Sequence, residues 1–370
     1  MRILSPGLKP RIFWAAWNVR AKARTYLKCK GADGHAEVRG YLKCKGADGH
    51  AEVRAYLMRL MRGLVGIGCW AMLACASARA ATFYVTVAGL GGEPDYEQRF
   101  TANANDLDKV FKSVAGAHVV TLTGKDSTKA KLTAAMDSVA REAKPEDDLV
   151  LTLIGHGSFD GTEYKFNLAG PDVTGGELAA MCDKVPAKRQ LVVDTTSASG
   201  GVVAALQKPG RAVIVATKSG TEKNATVFAQ YWVEAVEDPE ADTDKSGSVS
   251  AMEAFTYADR KTGDFYTSQK RLATEHAQFE DTGKGEAVRL ATMEGREGAL
   301  LNTFTVVRLG AAQAAMNDPA KRDLMAKKEA LEQKIDGLKY DKAAMEPGEY
   351  RKELTAALLE LAKVQAELDK

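Results

Sequence analysis

Two stretches decide the fold: "DDLVLTLIGHG", from Asp147 to Gly157, and "RQLVVDTTSASGG", from Arg189 to Gly201. Each is a short apolar run rich in Val, Leu and Ile, and each stops abruptly at small and polar residues. A strand that is apolar at successive positions has no solvent face, so it belongs in a parallel sheet covered on both sides. Ligands of open α/β sheets bind at the carboxyl ends of strands, which makes both turns candidate site positions. The first turn supplies an imidazole, His156, and the second a cluster of hydroxyls.

Outward from these runs the same alternation continues. "TFYVTVAGL", "HVVTLTG" and "RAVIVATKSG" read as further strands. "NANDLDKVFKSV", "TKAKLTAAMDSVAREA", "GGELAAMCDKV", "GGVVAALQK" and "NATVFAQYWVEAVED" read as the helices between and after them. Strands alternating with helices of this length specify an α/β, doubly wound, mostly parallel sheet. The main domain is expected over 81–310.

The two ends of the chain have a different character. Residues 26–40 recur almost unchanged at 41–55, a tandem copy too short for a solenoid. Cys29, His35, Cys44 and His50 compose a Cys2His2 set on paper, yet the segment is Gly-rich and has no apolar periodicity around those ligands. From Met58 to Ala80, Arg59 and Arg62 precede an uncharged apolar run of about 14 residues and a small-residue end, Ala78-Arg79-Ala80. That is the order of a secretory signal peptide, so residues 1–57 are expected to be an upstream extension and 58–80 the signal. A periplasmic or secreted product beginning at Ala81 follows; lipid attachment at Cys75 is the alternative. The apolar run is short of the roughly 20 residues that a membrane span needs, and the mature chain is expected to have no transmembrane segment. Over 318–370 the composition turns to Ala, Glu, Lys, Leu and Arg. An apolar seam at Leu324, Leu331, Ile335 and Leu338 resumes at Leu354, Leu358, Leu361 and Leu368, after "EPGEY". This reads as a helical hairpin or short coiled coil, solvated or available to a protein partner or to self-association.

Net charge is +2, which argues neither for nucleic acid nor for an acidic partner, and no nucleic-acid partner is expected. Of five cysteines only Cys182 lies beyond residue 80, so no intramolecular disulfide is expected in the mature chain. With Leu178, Met181 and Val185 it occupies one apolar helix face, which does not suit a nucleophile. His118 begins a strand and reads as structural. His276, in "LATEHAQFED", is a candidate for a place near the site.

An apolar strand ending in His-Gly, followed about 40 residues later by one ending in an acid and a small-residue turn with Ser-Gly, resembles the legumain and caspase group of cysteine peptidases. The resemblance runs over about 82–235 and includes "YEQRF", whose counterpart helps to form the substrate pocket. It implies His156 as base, the Gly157 amide in the oxyanion hole, and Arg99, Asp194 and Ser199 on the substrate side. Matching Ser199-Gly200 to the family's Ser-Gly puts Ser197 at the position of the nucleophilic cysteine. A serine hydroxyl needs a base in direct hydrogen-bond contact, usually one oriented by a third group, whereas a thiol is partly ionised unaided. Two readings follow: a degenerate peptidase-like protein that binds a peptide or protein ligand, or a hydrolase using a Ser197–His156 dyad.

A second motif stands on spacing alone. "DTDKSGSVSAME", Asp242 to Glu253, fits the twelve-residue calcium loop. Asp242, Asp244, Ser246 and Ser250 stand at positions 1, 3, 5 and 9, and Ser248 offers its carbonyl at 7. Gly247 takes the turn at 6 and Glu253 closes the loop at 12. Structural Ca2+ is the expected ligand. The acidic run "EDTGKGE" at 280–286 reads as a surface turn.

Overall fold

The computed structural model describes residues 80–370. The tandem repeat, the expected signal segment up to residue 79, Cys75 and the Cys2His2 set lie outside the described residues.

The chain builds β1 (Thr82–Ala88), α1 (Pro94–Lys112), β2 (Ala117–Leu122), α2 (Lys129–Glu142) and β3 (Asp148–Ile154). A small antiparallel sheet follows, of β4 (Gly157–Phe159), β5 (Tyr164–Phe166) and β6 (Val173–Thr174). Next come α3 (Gly175–Lys184), β7 (Arg189–Asp194), α4 (Val203–Leu206), β8 (Arg211–Val215) and α5 (Phe228–Glu237). The main sheet has the order β2-β1-β3-β7-β8 with all strands parallel, and β10 (Gln278–Glu280) joins β8 antiparallel at the edge. This is the mostly parallel, doubly wound arrangement expected from the continuous apolar runs.

Strand side chains alternate between two cores. Phe83, Val85, Val87, Leu149, Leu151 and Leu153 pack with Leu132, Met136 and Val139 of α2 and Leu178 and Cys182 of α3. Tyr84, Val150, Ile154, Leu191 and Val193 pack on the other face with Phe100, Leu107 and Phe111 of α1 and Phe228 and Trp232 of α5. Period-two alternation sends neighbours to opposite faces, and helices on both faces leave neither one wet. Cys182 is fully buried on the α3 face, and burial pushes its thiol up to about 11.

The first helix begins at Pro94, nine residues before the expected "NANDLDKVFKSV" start. Proline suits the first helical turn, where its missing N–H would have no intrahelical partner. The added turns carry Tyr96, Arg99 and Phe100.

After α5 the chain passes through the twelve-residue loop into β9 (Ser248–Ser250) and α6 (Ala251–Ser268), then β10, α7 (Ala299–Thr303), β11 (Thr305–Arg308) and α8 (Gly310–Asn317). β9 and β11 pair antiparallel. The run expected to be a surface turn contains a buried carboxylate: Asp281 accepts the amides of Gly298, Leu300 and Leu301, which satisfies the start of α7.

The C-terminal segment forms α9 (Arg322–Asp341) and α10 (Pro347–Leu368). Ion pairs Lys327–Glu360 and Lys334–Glu353 join residues that advance on one helix as they retreat on the other, so the pair is antiparallel. Their mutual seam is thinner than the sequence pattern suggests. Leu338 is buried, but Leu358 is 48% exposed. No described helix is long and apolar enough to cross a membrane.

Candidate functional site

The chain leaves β1 for β2 on one side and returns to β3 on the other, so the topological switch point, where ligands of open α/β sheets bind, falls at the carboxyl ends of β1 and β3. His156 lies two residues past the end of β3, and the hydroxyl turn 195–199 lies past the adjacent β7. The structure therefore brings together the two turns singled out in the sequence.

His156 is half-buried. Tyr96 and Phe100 of α1 meet its ring edge-on, with centroids at 4.8 and 5.1 Å. Burial lowers its pKa; the Gly91 backbone opposes that shift and the Arg99 charge adds to it. The ring is thus held toward its neutral form, as a base requires. Arg99 stacks over Tyr96, with its guanidinium carbon 4.9 Å from the centroid, and approaches Phe100 at 5.8 Å. Its guanidinium has no carboxylate partner among the described residues.

Ser197 is 2% exposed, and its hydroxyl is committed on both sides to one residue. It donates to the Gly157 carbonyl at 3.0 Å and accepts from the Gly157 amide at 3.1 Å. No hydrogen bond joins Ser197 to His156 among the described residues. The two turns can approach this closely because position 157 has no side chain: a Cβ there would stand 2.4 Å from the Ser197 carbonyl oxygen and 2.6 Å from the Tyr164 ring.

Asp194 and Ser199, expected on the substrate side, are both fully buried. Ser199 Oγ accepts the amides of Ala216 at 3.1 Å and Thr217 at 3.2 Å, stitching the turn to the end of β8. Asp194 Oδ1 accepts the Thr196 amide at 3.1 Å, while Oδ2 is buried with no hydrogen-bond partner among the described residues. Burial pushes this carboxyl up to about 6, against the pull of the nearby Tyr164 and Thr196 hydroxyls. Both residues shape the turn from beneath.

Two partners were not legible in the sequence. Tyr164 pairs its hydroxyl with Thr196 Oγ1 at 2.7 Å. Glu222 accepts the Ala198 amide on its carbonyl at 2.7 Å, and its carboxylate lies 2.6 Å from His276 Nδ1. His276 is thereby tied to the loop that holds the residue following Ser197, and its polar setting in "LATEHAQFED" was the signal.

The twelve-residue loop is a separate candidate site. Asp242, Asp244 and Glu253 each place a carboxylate oxygen within 4.8 Å of the others. The Ser246 and Ser248 hydroxyls pair at 3.0 Å, and Gly247 takes φ +86°, the left-handed conformation that the sixth position demands. Helix α5 precedes the loop and α6 leaves it, with Ser250 and Glu253 forming the capping box of α6. An all-oxygen donor set with three carboxylates fits a hard divalent cation and offers nothing to a thiolate-seeking or imidazole-seeking metal.

No protein-family model matches the sequence, and no curated protein matches it. Among solved structures the chain is similar to a Geobacter sulfurreducens protein, with 14% identity and a TM-score of 0.38 over 56% of this chain and 95% of that one. It is also similar to the Drosophila initiator caspase Dronc, at 11% identity and TM-score 0.39 over 56% and 81%. Caspase-1 from Spodoptera frugiperda stands at 12% and 0.39 over 55% and 87%.

Proposed function

We propose that this chain is an exported peptidase-fold protein that does not hydrolyse peptides and instead binds a peptide or protein ligand in the crevice beside His156. The observation that carries the reading is the double engagement of Ser197 with Gly157. Attack by a serine requires its proton to pass to a base, and a peptide carbonyl is not one. The same contact occupies the Gly157 amide, the donor that would otherwise stabilise an oxyanion. Arg99 is the ligand's anchor. A guanidinium that has no carboxylate partner among the described residues, set against two aromatic rings beside His156, suits a carboxylate or another planar anion. Ca2+ in loop 242–253 has a structural role in this reading.

The alternative, a hydrolase using Ser197 and His156, is favoured by one observation: burial holds His156 toward the neutral imidazole that a base needs. A peptide array separates the two. Binding of acidic peptides without turnover, weakened at least tenfold in Arg99→Gln, is the expected result. Turnover by the wild type, or binding indifferent to Arg99, would overturn the reading.

A further inference from the structure

The segment between β8 and α5 braces the hydroxyl turn at both ends. The Glu222 carbonyl accepts the Ala198 amide at 2.7 Å, and the Thr226 hydroxyl donates to the Thr195 carbonyl at 2.6 Å. Each brace is itself held. The Glu222 carboxylate meets His276, and the Val227 and Phe228 amides just after Thr226 donate to the Glu275 carboxylate. Midway between the braces the chain is open: residues 222–227 form neither helix nor strand, Asn224 is exposed, and its side-chain amide has no hydrogen bond among the described residues. Asn224, Ala225 and Thr226 make the one Asn-x-Ser/Thr triplet in the sequence, and its middle residue is not proline.

We propose that Asn224 is a site of N-linked glycosylation, filled during export by transfer of an oligosaccharide from a lipid-diphosphate donor. The inference rests on the export part of the reading above. Transfer joins Asn224 Nδ2 to the anomeric carbon of the sugar and breaks that carbon's bond to the phosphate oxygen. The lipid diphosphate leaves with the bonding electrons, and the amide gives up one proton to a base of the transferase. A hydroxyl at the third position is part of what is recognised, which is why the triplet requires Ser or Thr. In the folded chain that hydroxyl is out of reach, because Thr226 is 7% exposed and its proton is committed to Thr195. The acceptor is therefore the chain before this segment closes on the turn. Folding then buries Thr226 and leaves Asn224 outside, where a bulky hydrated group displaces no packed side chain.

Mass mapping of the full chain recovered from its own cells tests this. The peptide holding Asn224 should carry the mass of one oligosaccharide, which a glycan-releasing amidase removes. Thr226→Val should lose the modification although Asn224 is intact, whereas Thr226→Ser should keep it. Both variants can be read even if they fold poorly, because transfer precedes folding. Full chain made without a transferase, purified folded and then mixed with purified transferase and lipid-linked donor, should stay bare. A bare Asn224 on chain recovered outside the cytoplasmic membrane would overturn the site and leave export standing. A bare Asn224 on chain found only inside the cell would overturn both. Sugar retained in Thr226→Val would overturn the triplet as the determinant, and transfer to the folded chain would overturn the order of events.

Discussion

Replacing Asp194 by Asn should change the pH dependence of stability in a defined direction. The carboxyl is fully buried beneath the hydroxyl turn, and one of its oxygens has no hydrogen-bond partner among the described residues. Burial pushes it up to about 6, from an ordinary value of 3.8. Between those values the native chain holds a proton that the unfolded chain has lost, so stability falls as pH rises through this window. Below about pH 3 both states are protonated and the cost vanishes; above about pH 7 it is fully present. A shift of about two pH units corresponds to roughly 3 kcal/mol, a large share of the roughly 5–15 kcal/mol by which domains are stable. Asn keeps the acceptor for the Thr196 amide and cannot ionise. Urea unfolding at intervals from pH 3 to 7.5 should show the variant gaining on the wild type by about 3 kcal/mol across the series. Other titrating groups are common to both proteins and cancel in the difference. Parallel profiles would refute the argument, because they would mean that Asp194 is as well solvated in the native state as in the unfolded one.

Two further outcomes follow from the two sites. Calcium at 10 mM should stabilise the chain by about 1–3 kcal/mol, seen as a melting temperature raised by a few degrees. Glu253→Gln should abolish the rise, and an unchanged melting curve in the wild type would make the loop a turn and nothing more. Ser197→Cys should introduce a nucleophile that ionises without a base in contact, and so convert no detectable peptide turnover into measurable turnover that His156→Ala removes. A cysteine variant inert even to a thiol-directed peptide inhibitor would remove Ser197 from the nucleophile position.

The parallel sheet was legible because its strands are buried on both faces: no helix-period pattern competes in Leu149–Ile154 or Leu191–Val193. The early turns of α1 were hidden. Tyr96 and Phe100 turn toward His156, and the polar residues between them dilute the apolar period. The two- and three-residue strands β4 to β6 owe their form to partners fixed by the fold, so local sequence carries little of it. Proximity of His156 and the hydroxyl turn could be read from strand ends. What could not be read was which hydroxyl faces outward, since a run of small residues looks the same whether it lines a crevice or fills the space beneath one. Ser199 and Asp194 belong to the second kind, held by contacts with Thr217 and Thr196. The closure of Ser197 onto Gly157 depends on residues 40 apart in sequence, one in the turn after β7 and the other at the start of β4. The twelve-residue loop was legible because its ligands lie within one short stretch. Its neighbour α9 was not, because the contact of Lys328 with Ser246 spans 82 positions.

In the proposed reading Ser197 is sequestered by Gly157 and does not act as a nucleophile. Treating the wild-type chain with a serine-directed peptidyl phosphonate and mapping adducts by mass spectrometry tests it most directly. No phosphonylation at Ser197 is expected while the chain is folded. An adduct at Ser197, formed by the native chain and abolished in His156→Ala, would contradict it and establish a working serine dyad.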